Sequence, residues 1–271
     1  MKDIICEKRD FTYLQWNRVR SSSGTAGSFL KATEIQNGKK IYYKLSCYDS
    51  MMGIVGHECI NELIVSRLLG ILGVEHLKYK LLFGTVKIEE RYYDTYFCMS
   101  ESFRKRGERK ITFEDYYQLE RTDGESTLDF MKRMGLEDNI YQMIIIDFLI
   151  LNRDRHGANY ELIMDENGVV RPAPLFDQGV SLLFSCHSIE QIHQYNTMSD
   201  KPVQSFIGGN SAKDNLNIIP KGYAGIGNKI RPEDKNYLFD GLHEILSEEH
   251  IDKIWDMIWK RWLYYENLFN L

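Results

Sequence analysis

The sequence lacks the features of a membrane-spanning, secreted or disulfide-stabilised protein. Its most apolar stretch, residues 143–151, is interrupted by Asp147 and is too short to cross a bilayer. The N-terminus carries no extended apolar segment of the kind that directs secretion. The five cysteines are widely spaced and include no C-x-x-C pair, so we expect reduced, mostly buried thiols rather than disulfides or a zinc site. These absences favour a cytoplasmic location.

The sequence also lacks a strong charge bias. Its formal net charge is −5, so no overall positive field would attract nucleic acid or an anionic membrane. We therefore expect neither a nucleic-acid partner nor a membrane partner. No internal repeat or low-complexity tract is present, and a hydrophobic content of 43% over 271 residues is sufficient for a substantial core.

Residues 1–102 predict a strand-rich lobe built around one helix. Asn37–Gly38, between two short strand candidates, is a strong hairpin signal. Apolar residues at helical spacing follow the hairpin and predict a helix. In chain order, the predicted elements are a small polar loop, two hairpin strands, a helix and two further strands, at residues 21–28, 29–35, 40–45, 58–72, 79–86 and 92–99.

Residues 103–271 predict a mostly helical lobe. The charged stretch 104–110 is interpreted as an exposed loop, and a patch that binds phosphate or substrate is the less favoured alternative. One buried helix and two amphipathic helices are predicted at residues 139–151, 237–246 and 248–268. The sequence therefore predicts an α+β protein with two lobes, a strand-rich N-terminal lobe and a helical C-terminal lobe.

The most informative residues lie just past the boundary between these lobes. Asp154 follows the predicted buried helix, Asn159 comes shortly after it, and a hairpin-like turn then returns the chain to Asp177. Taken singly, each could be an ordinary turn or cap residue. Together they suit phosphoryl transfer from ATP, in which one carboxylate orients a hydroxyl while a carboxamide oxygen and a second carboxylate hold Mg²⁺. We predict Asp154 and Asn159 as catalytic residues, Asn159 and Asp177 as metal ligands, and ATP and Mg²⁺ as cofactors.

Residues of the first lobe predict the remainder of an ATP site. Lys44, on the second hairpin strand, could reach the phosphates if a helix carboxylate held it. Glu62 is the predicted carboxylate, and Glu58, one helical turn earlier, is the alternative. The backbone N–H groups of the small polar loop would cradle the phosphates. The predicted cradle residues are Ser23, Gly24, Thr25, Ala26 and Gly27.

Three basic residues around Asp154 are predicted to support the loop rather than to react. His156 is expected to pack or hydrogen-bond within the loop, because phosphoryl transfer requires little proton abstraction. Arg153 and Arg155 are expected to brace the loop or to touch phosphate.

These motifs resemble those of the HipA-like kinases, and within them the short stand-alone members of the CtkA type. The resemblance rests on Asp154-Arg155-His156-x-x-Asn159 with Asp177, preceded in the family's order by a G-x-x-G loop, Lys44 and Glu62-x-x-x-x-Arg67-Leu68. It spans residues 21–185 and extends weakly through the C-terminal helices. It implies a two-lobed protein-kinase-like fold and ATP-dependent phosphorylation of serine or threonine in a protein substrate.

The resemblance also implies roles for individual residues. Asp154 corresponds to the catalytic aspartate, Asn159 and Asp177 to the Mg²⁺ ligands, and Lys44 to the lysine that binds ATP. Residues 97–102 correspond to the hinge between the lobes, which holds adenine through its backbone. The hinge residues predicted to bind the nucleotide are Met99, Ser100 and Glu101.

Two further expectations come from the family. Many members belong to toxin–antitoxin systems, so the resemblance raises the expectation of a toxin role and an antitoxin partner, although the matched region does not include the N-terminal subdomain of full-length members. Self-phosphorylation of a loop serine is expected at one of Ser21, Ser22, Ser23 and Ser28. Gln178 replaces the phenylalanine that follows the metal-binding aspartate in many kinases, so a regulatory phenylalanine flip is not expected.

Three alternatives share these motifs. A small-molecule kinase or a phosphoinositide-type kinase would use the same catalytic set, since phosphoinositide kinases also carry the D-R-H-x-x-N element. A nucleotide-binding pseudokinase would keep the fold without turnover. An interaction domain without enzymatic activity would show no Mg²⁺-dependent stabilisation by ATP.

Overall fold

Strands dominate the first part of the protein and helices the second. The computed structural model describes residues 3–17, 29–223 and 225–271. The strands are β1 (Ile4–Asp10), β2 (Phe29–Gln36), β3 (Lys39–Asp49), β4 (Gly53–Ile54), β5 (Tyr79–Ile88), β6 (Arg91–Glu101), β7 (Arg109–Thr112), β8 (Asp154–Arg155), β9 (Glu161–Met164), β10 (Val170–Pro172) and β11 (Gln204–Ser205). The helices are α1 (Glu58–Leu72), α2 (Phe113–Glu120), α3 (Thr127–Arg133), α4 (Glu137–Ile150), α5 (Ile189–Gln194), α6 (Ala212–Asn215), α7 (Asp234–Phe239) and α8 (Glu248–Phe269).

The N-terminal lobe is a sheet with the strand order β1-β5-β6-β3-β2, and β4 is paired to β3. The predicted hairpin is confirmed as β2 and β3. Its turn has positive φ at both Asn37 (50°) and Gly38 (76°), the geometry that matches the twist of two-residue hairpins. This turn sets the register that places Lys31 opposite Lys44.

Alternation along β3 separates a small core from the face that carries Lys44. Ile41, Tyr43 and Leu45 are buried in an apolar cluster on one side of the sheet. Lys44 projects to the other side, because successive side chains of a strand point to opposite faces. Helix α1 covers that second face, and its bounds agree with the prediction.

Helix α1 is also fixed to the C-terminal lobe. Arg67 forms a bidentate ion pair with Asp3, at 2.7 and 2.8 Å, and its Nη1 donates to the carbonyls of Leu238 and Asp240, each at 2.9 Å. The side chain of Arg67 is almost fully buried, and bidentate guanidinium pairs fix geometry as well as adding energy. The helix that carries Glu62 is therefore tied to both lobes.

The C-terminal lobe has an extended apolar core centred on α4 and α8. Residues 143–146 and 148–150 of α4 are all buried, and α8 packs against them. The predictions for these two helices are confirmed to within two residues at each end. Arg261 of α8 donates to the carbonyls of Phe148, Thr197 and Ser199 at 2.8–2.9 Å, so it links α8 to α4 and to the chain before β11.

Two predicted elements are wrong in part. The stretch 104–110 is not wholly a loop, because Arg109 begins β7, where Lys110 forms an ion pair with Glu161 of the neighbouring β9 at 2.6 Å. The helix predicted over 237–246 is α7, which ends at Phe239. Gly241 follows with φ of 73°, and such a left-handed glycine commonly terminates a helix. In the part of the chain that the structure describes, no helix combines the length and apolar character needed to cross a membrane.

Candidate active site

Lys44 and Glu62 form a buried ion pair between the sheet and α1. Lys44 Nζ donates to Glu62 Oε1 at 2.7 Å, and the Glu62 side chain is completely buried. Burial alone would lower the pKa of Lys44, but the carboxylates of Asp177 and Glu62 raise it well above its ordinary value. Glu58, the alternative partner, instead accepts a hydrogen bond from the Cys47 backbone N–H at 3.1 Å. The structure therefore brings Lys44 to Glu62 and not to Glu58.

Asp177 joins this pair from the C-terminal lobe. Its Oδ1 lies 2.5 Å from Lys44 Nζ, and its Oδ2 lies 3.7 Å from Lys31 Nζ. Burial works to raise the pKa of Asp177, but the ammonium groups of Lys44 and Lys31 outweigh it and hold the pKa well below its ordinary value. The backbone of Asp177 is left-handed, with φ of 59°, and its N–H donates to the Tyr79 hydroxyl at 3.3 Å. Such a conformation is unusual for a residue other than glycine and is typical of functional turns.

The segment after Asp177 lies directly against α1. The Gln178 backbone N–H donates to Glu62 Oε2 at 2.9 Å, so both oxygens of that carboxylate are used. Asn61 Nδ2 donates to the carbonyls of Gly179 and Ser181 at 3.1 and 3.0 Å. A Cβ atom at Gly179 would lie 3.1 Å from the Glu58 carbonyl oxygen, so this close approach favours glycine. Any displacement of α1 would therefore move the Asp177 segment too.

Asp154 and Asn159 lie on one short loop that β8 begins. Asn159 Nδ2 donates to the Asp154 carbonyl at 2.7 Å, which orients the carboxamide and leaves Oδ1 available to a ligand. The Asp154 carboxylate is partly exposed, and its Oδ1 lies 3.5 Å from His156 Nε2. Burial raises the pKa of Asp154, and Asp177 adds to this effect while His156 opposes it. Parallel pairing of β8 with β11 places Gln204 beside Asp154.

Arg155 connects this loop to α4, as predicted for a residue that braces the loop. Its guanidinium forms a bidentate pair with Asp147 of α4, with both shortest contacts at 2.9 Å. The same side chain donates to the carbonyls of Asn159 at 2.9 Å and Phe176 at 3.2 Å. It therefore connects the Asn159 loop with the residue before Asp177. His156 Nδ1 accepts from the Ala158 N–H at 3.3 Å, a contact within the loop.

The predicted hinge residues Met99, Ser100 and Glu101 are the last three residues of β6. Met99 and Ser100 are paired with both β3 and β5, whereas Glu101 pairs with Ile41 of β3 and lies beyond the end of β5. Because the sheet already engages the backbone of Met99 and Ser100, Glu101 is the best placed of the three predicted residues to offer backbone groups to an adenine ring. The loop residues Ser23, Gly24, Thr25, Ala26 and Gly27 lie outside the described residues.

Lys31, Tyr79 and Asn61 belong to the site but were missed in the sequence. The sequence did contain a signal for Lys31. If the two hairpin strands are paired residue by residue away from the Asn37–Gly38 turn, Lys31 lies opposite Lys44. No comparable sequence signal marks Tyr79 or Asn61, whose contacts with the Asp177 segment depend on how the lobes meet.

The donor atoms fit Mg²⁺ better than a transition metal. Among residues 3–17, 29–223 and 225–271, no cluster of three or more histidine, cysteine, aspartate or glutamate side chains could hold a metal ion. Asp177 and Asn159 offer one carboxylate and one carboxamide oxygen. This sparse, all-oxygen set is what Mg²⁺ uses when water and substrate phosphates supply its other ligands.

Comparison with known proteins supports the fold. No protein-family model matches the sequence, and no curated protein sequence matches it. The crystal structure of CtkA, a proinflammatory kinase of Helicobacter pylori, superimposes with a TM-score of 0.60 at 18% sequence identity, covering 94% of this chain and 93% of that chain. The structure of WaaP in complex with acyl carrier protein superimposes with a TM-score of 0.40 at 13% identity, covering 94% of this chain and 82% of that chain. A TM-score of 0.40 is too low to support a conclusion about the fold. The predicted two-lobed, CtkA-like kinase fold is confirmed.

Proposed function

We propose that this protein is an ATP- and Mg²⁺-dependent kinase. The observation that carries the proposal is the convergence of Lys44, Glu62 and Asp177 from three separate elements, with Lys44 Nζ 2.7 Å from Glu62 and 2.5 Å from Asp177. A lysine held by a helix carboxylate beside a metal-binding aspartate is the arrangement that protein kinases require for phosphoryl transfer. The kinase-like fold and the name of its structural neighbour, a kinase, add support.

Each polar residue then has a specific task. Lys44, held by Glu62, would bind the nucleotide phosphates, and the Asp154 carboxylate would accept a hydrogen bond from the acceptor hydroxyl and align it. Asn159 Oδ1 and Asp177 would hold Mg²⁺, which neutralises the phosphate charge. Arg155 would keep the Asn159 loop and the Asp177 segment at a fixed separation, because it binds the carbonyls of Asn159 and Phe176. Little proton transfer is needed, so His156 has a supporting role.

We propose serine or threonine of a protein as the phosphate acceptor. The support is the resemblance of the D-R-H-x-x-N and Asp177 motifs to the HipA-like kinases. A small-molecule or lipid acceptor is the competing outcome of the substrate test. Self-phosphorylation of the serine-rich loop, a toxin role with an antitoxin partner and a cytoplasmic location stay predictions from the sequence.

The test is incubation of the purified protein with γ-labelled ATP and Mg²⁺, alone and with a cell extract. We expect label in the protein itself or in extract proteins with the wild type, and none with Asp154→Asn or Asp177→Asn. Asp154→Asn is nearly isosteric, so folding should be retained. Asp123→Asn is the matched control, because Asp123 is an exposed aspartate in a turn and should leave labelling unchanged.

Three outcomes are informative. Label confined to lipids or metabolites would replace the protein acceptor with a small-molecule one. Equal labelling by the wild type and Asp154→Asn would contradict the catalytic assignment. ATP binding without transfer to any fraction of the extract would favour the pseudokinase alternative.

A further inference from the structure

Gln204 lies beside the proposed catalytic aspartate, although it comes from a later part of the chain. β11 pairs in parallel with β8, and the register sets Gln204 opposite Asp154 and Ser205 opposite Arg155. Register partners lie on the same face of a sheet, and successive residues of a strand alternate between its faces. Arg155 is almost fully buried and Ser205 is partly buried, so these two define the inner face. Gln204, which is exposed, therefore shares the outer face with Asp154.

The backbone on both sides of Gln204 is fixed to the segment that carries Asp154. The N–H groups of Gln204 and Phe206 donate to carbonyls of that segment at 3.0 and 2.9 Å. Arg153 Nε donates to the Pro202 carbonyl at 2.5 Å, which anchors the chain just before β11. A side chain carried by such a supported backbone keeps a defined position relative to its neighbour. Gln204 is therefore held close to the point at which Asp154 would align an acceptor.

The Gln204 carboxamide is free to bind a ligand. Among residues 3–17, 29–223 and 225–271, it has no hydrogen-bond partner. It is uncharged, so it adds no like charge to the carboxylates of Asp154 and Asp177. A carboxamide presents an NH₂ donor and an oxygen acceptor side by side. A peptide group presents the complementary pair, one C=O acceptor and one N–H donor.

We infer that Gln204 is an acceptor-binding residue, whose carboxamide hydrogen-bonds the backbone of a protein substrate next to the hydroxyl that Asp154 aligns. This inference rests on the proposed function. The shared face of β8 and β11 brings the carboxamide and the Asp154 carboxylate to the same side of the loop. A substrate held by both would present its hydroxyl at a fixed distance from Asp154. Such positioning lowers the barrier, because the orientation of the acceptor is set before the reaction begins.

This role predicts that Gln204 is needed for one acceptor and not for another. Water, the acceptor in ATP hydrolysis, has no peptide group, so hydrolysis does not require the carboxamide. Nucleotide binding does not require it either, because Gln204 contacts the acceptor. A glutamine that only supported the backbone near Asp154 would instead affect hydrolysis and transfer to protein alike.

The experiment measures initial rates of transfer from γ-labelled ATP to the protein fraction of a cell extract. Heat treatment and dialysis of this fraction remove endogenous kinases and metabolites. We expect Gln204→Leu, which keeps the approximate size of the side chain, to raise the apparent KM for protein about fivefold, the loss typical of one neutral hydrogen bond. The KM for ATP and the rate of ATP hydrolysis without protein should stay unchanged. Gln204→Asn keeps the carboxamide and should recover part of the loss. Gln118→Leu, at an exposed glutamine of α2, is the matched control and should behave as the wild type does.

The outcomes separate this inference from the proposed function. If the wild type neither hydrolyses ATP nor transfers its phosphate to any fraction of the extract, the proposed function and the inference both fail. If label reaches lipids or metabolites but no protein, the protein acceptor and the inference fail while the kinase proposal stands. If the wild type labels protein and Gln204→Leu does so with an unchanged KM, the inference alone is overturned. Equal loss of protein labelling and ATP hydrolysis would also overturn it, because that pattern indicates a structural role.

Discussion

Glu62→Gln removes one charge from the centre of the site while keeping the size of the side chain. In the protein, Glu62 Oε1 accepts from Lys44 and Glu62 Oε2 accepts from the Gln178 backbone N–H. A carboxamide has only one acceptor oxygen, so one of these donors would face an NH₂ group. The side chain is completely buried, and no solvent can compensate for the lost acceptor.

The cost can be worked out from these contacts. A buried backbone N–H left without an acceptor costs about 1–3 kcal/mol, and a hydrogen bond to a charged group contributes about 1.5–3 kcal/mol. Lys44 keeps Asp177 as a partner, so the full cost of breaking a buried ion pair does not apply. We expect the free energy of unfolding to fall by about 2 kcal/mol, which corresponds to a decrease in Tm of roughly 4–8 °C for a protein of this size.

Glu58→Gln is the matched control on the same helix. Glu58 is buried and one turn away, and a carboxamide oxygen can also accept the backbone hydrogen bond that Glu58 receives from Cys47 at 3.1 Å. Burial raises the pKa of Glu58, so replacing its carboxylate by a neutral group costs little. Thermal melting and urea unfolding should show a loss for Glu62→Gln at least twice that for Glu58→Gln. Equal losses, or a larger one for Glu58→Gln, would refute the assignment of Glu62 as the structural partner of Lys44.

Two further predictions concern buried ionisable side chains outside the Lys44 cluster. Arg155→Met should lower the free energy of unfolding by about 3–5 kcal/mol, because it leaves the Asp147 carboxylate without its guanidinium; a loss below about 1 kcal/mol in urea unfolding would contradict the bracing role. Burial, together with the nearby rings of His250 and His187, lowers the pKa of His57 to about 3, and burial lowers the pKa of His250 to about 4. Below the ordinary histidine pKa of 6.5 the unfolded chain therefore binds more protons than the folded chain. The free energy of unfolding is therefore highest above that pH and falls on acidification. The fall is at most about 1.4 kcal/mol per pH unit for each histidine. Urea unfolding between about pH 7 and pH 5 measures this slope, which His250→Phe should reduce; an unchanged slope would mean that His250 does not contribute.

Local patterns predicted the elements best where the signal was periodic or tied to a specific turn. The helix over 58–72 and the hairpin around Asn37–Gly38 are as predicted, because helical spacing and a left-handed turn are properties of neighbouring residues. The predictions for residues 104–110 and 237–246 were wrong in part because the helical or loop-like pattern of neighbouring residues did not decide where these elements begin or end. The strand that begins at Arg109 depends on its pairing with β9, and α7 ends before Gly241 although apolar residues continue the helical pattern beyond it.

The site shows the same division between local sequence and tertiary contact. The sequence by itself determined that Asp154, Asn159 and Asp177 follow one another around a short hairpin, and the turn at Asn37–Gly38 already implies the pairing of Lys31 with Lys44. These relations depend only on short stretches of chain with a definite local geometry.

Only the tertiary structure decided which carboxylate meets Lys44. Glu58 and Glu62 are one helical turn apart on the same side of α1, so the sequence pattern favours neither strongly. The choice depends on how far α1 is shifted along the sheet. That position is set by contacts from distant parts of the chain, those of Arg67 with Asp3 and of Asn61 with the segment after Asp177. Such contacts join residues far apart in sequence, and no local pattern encodes their distances.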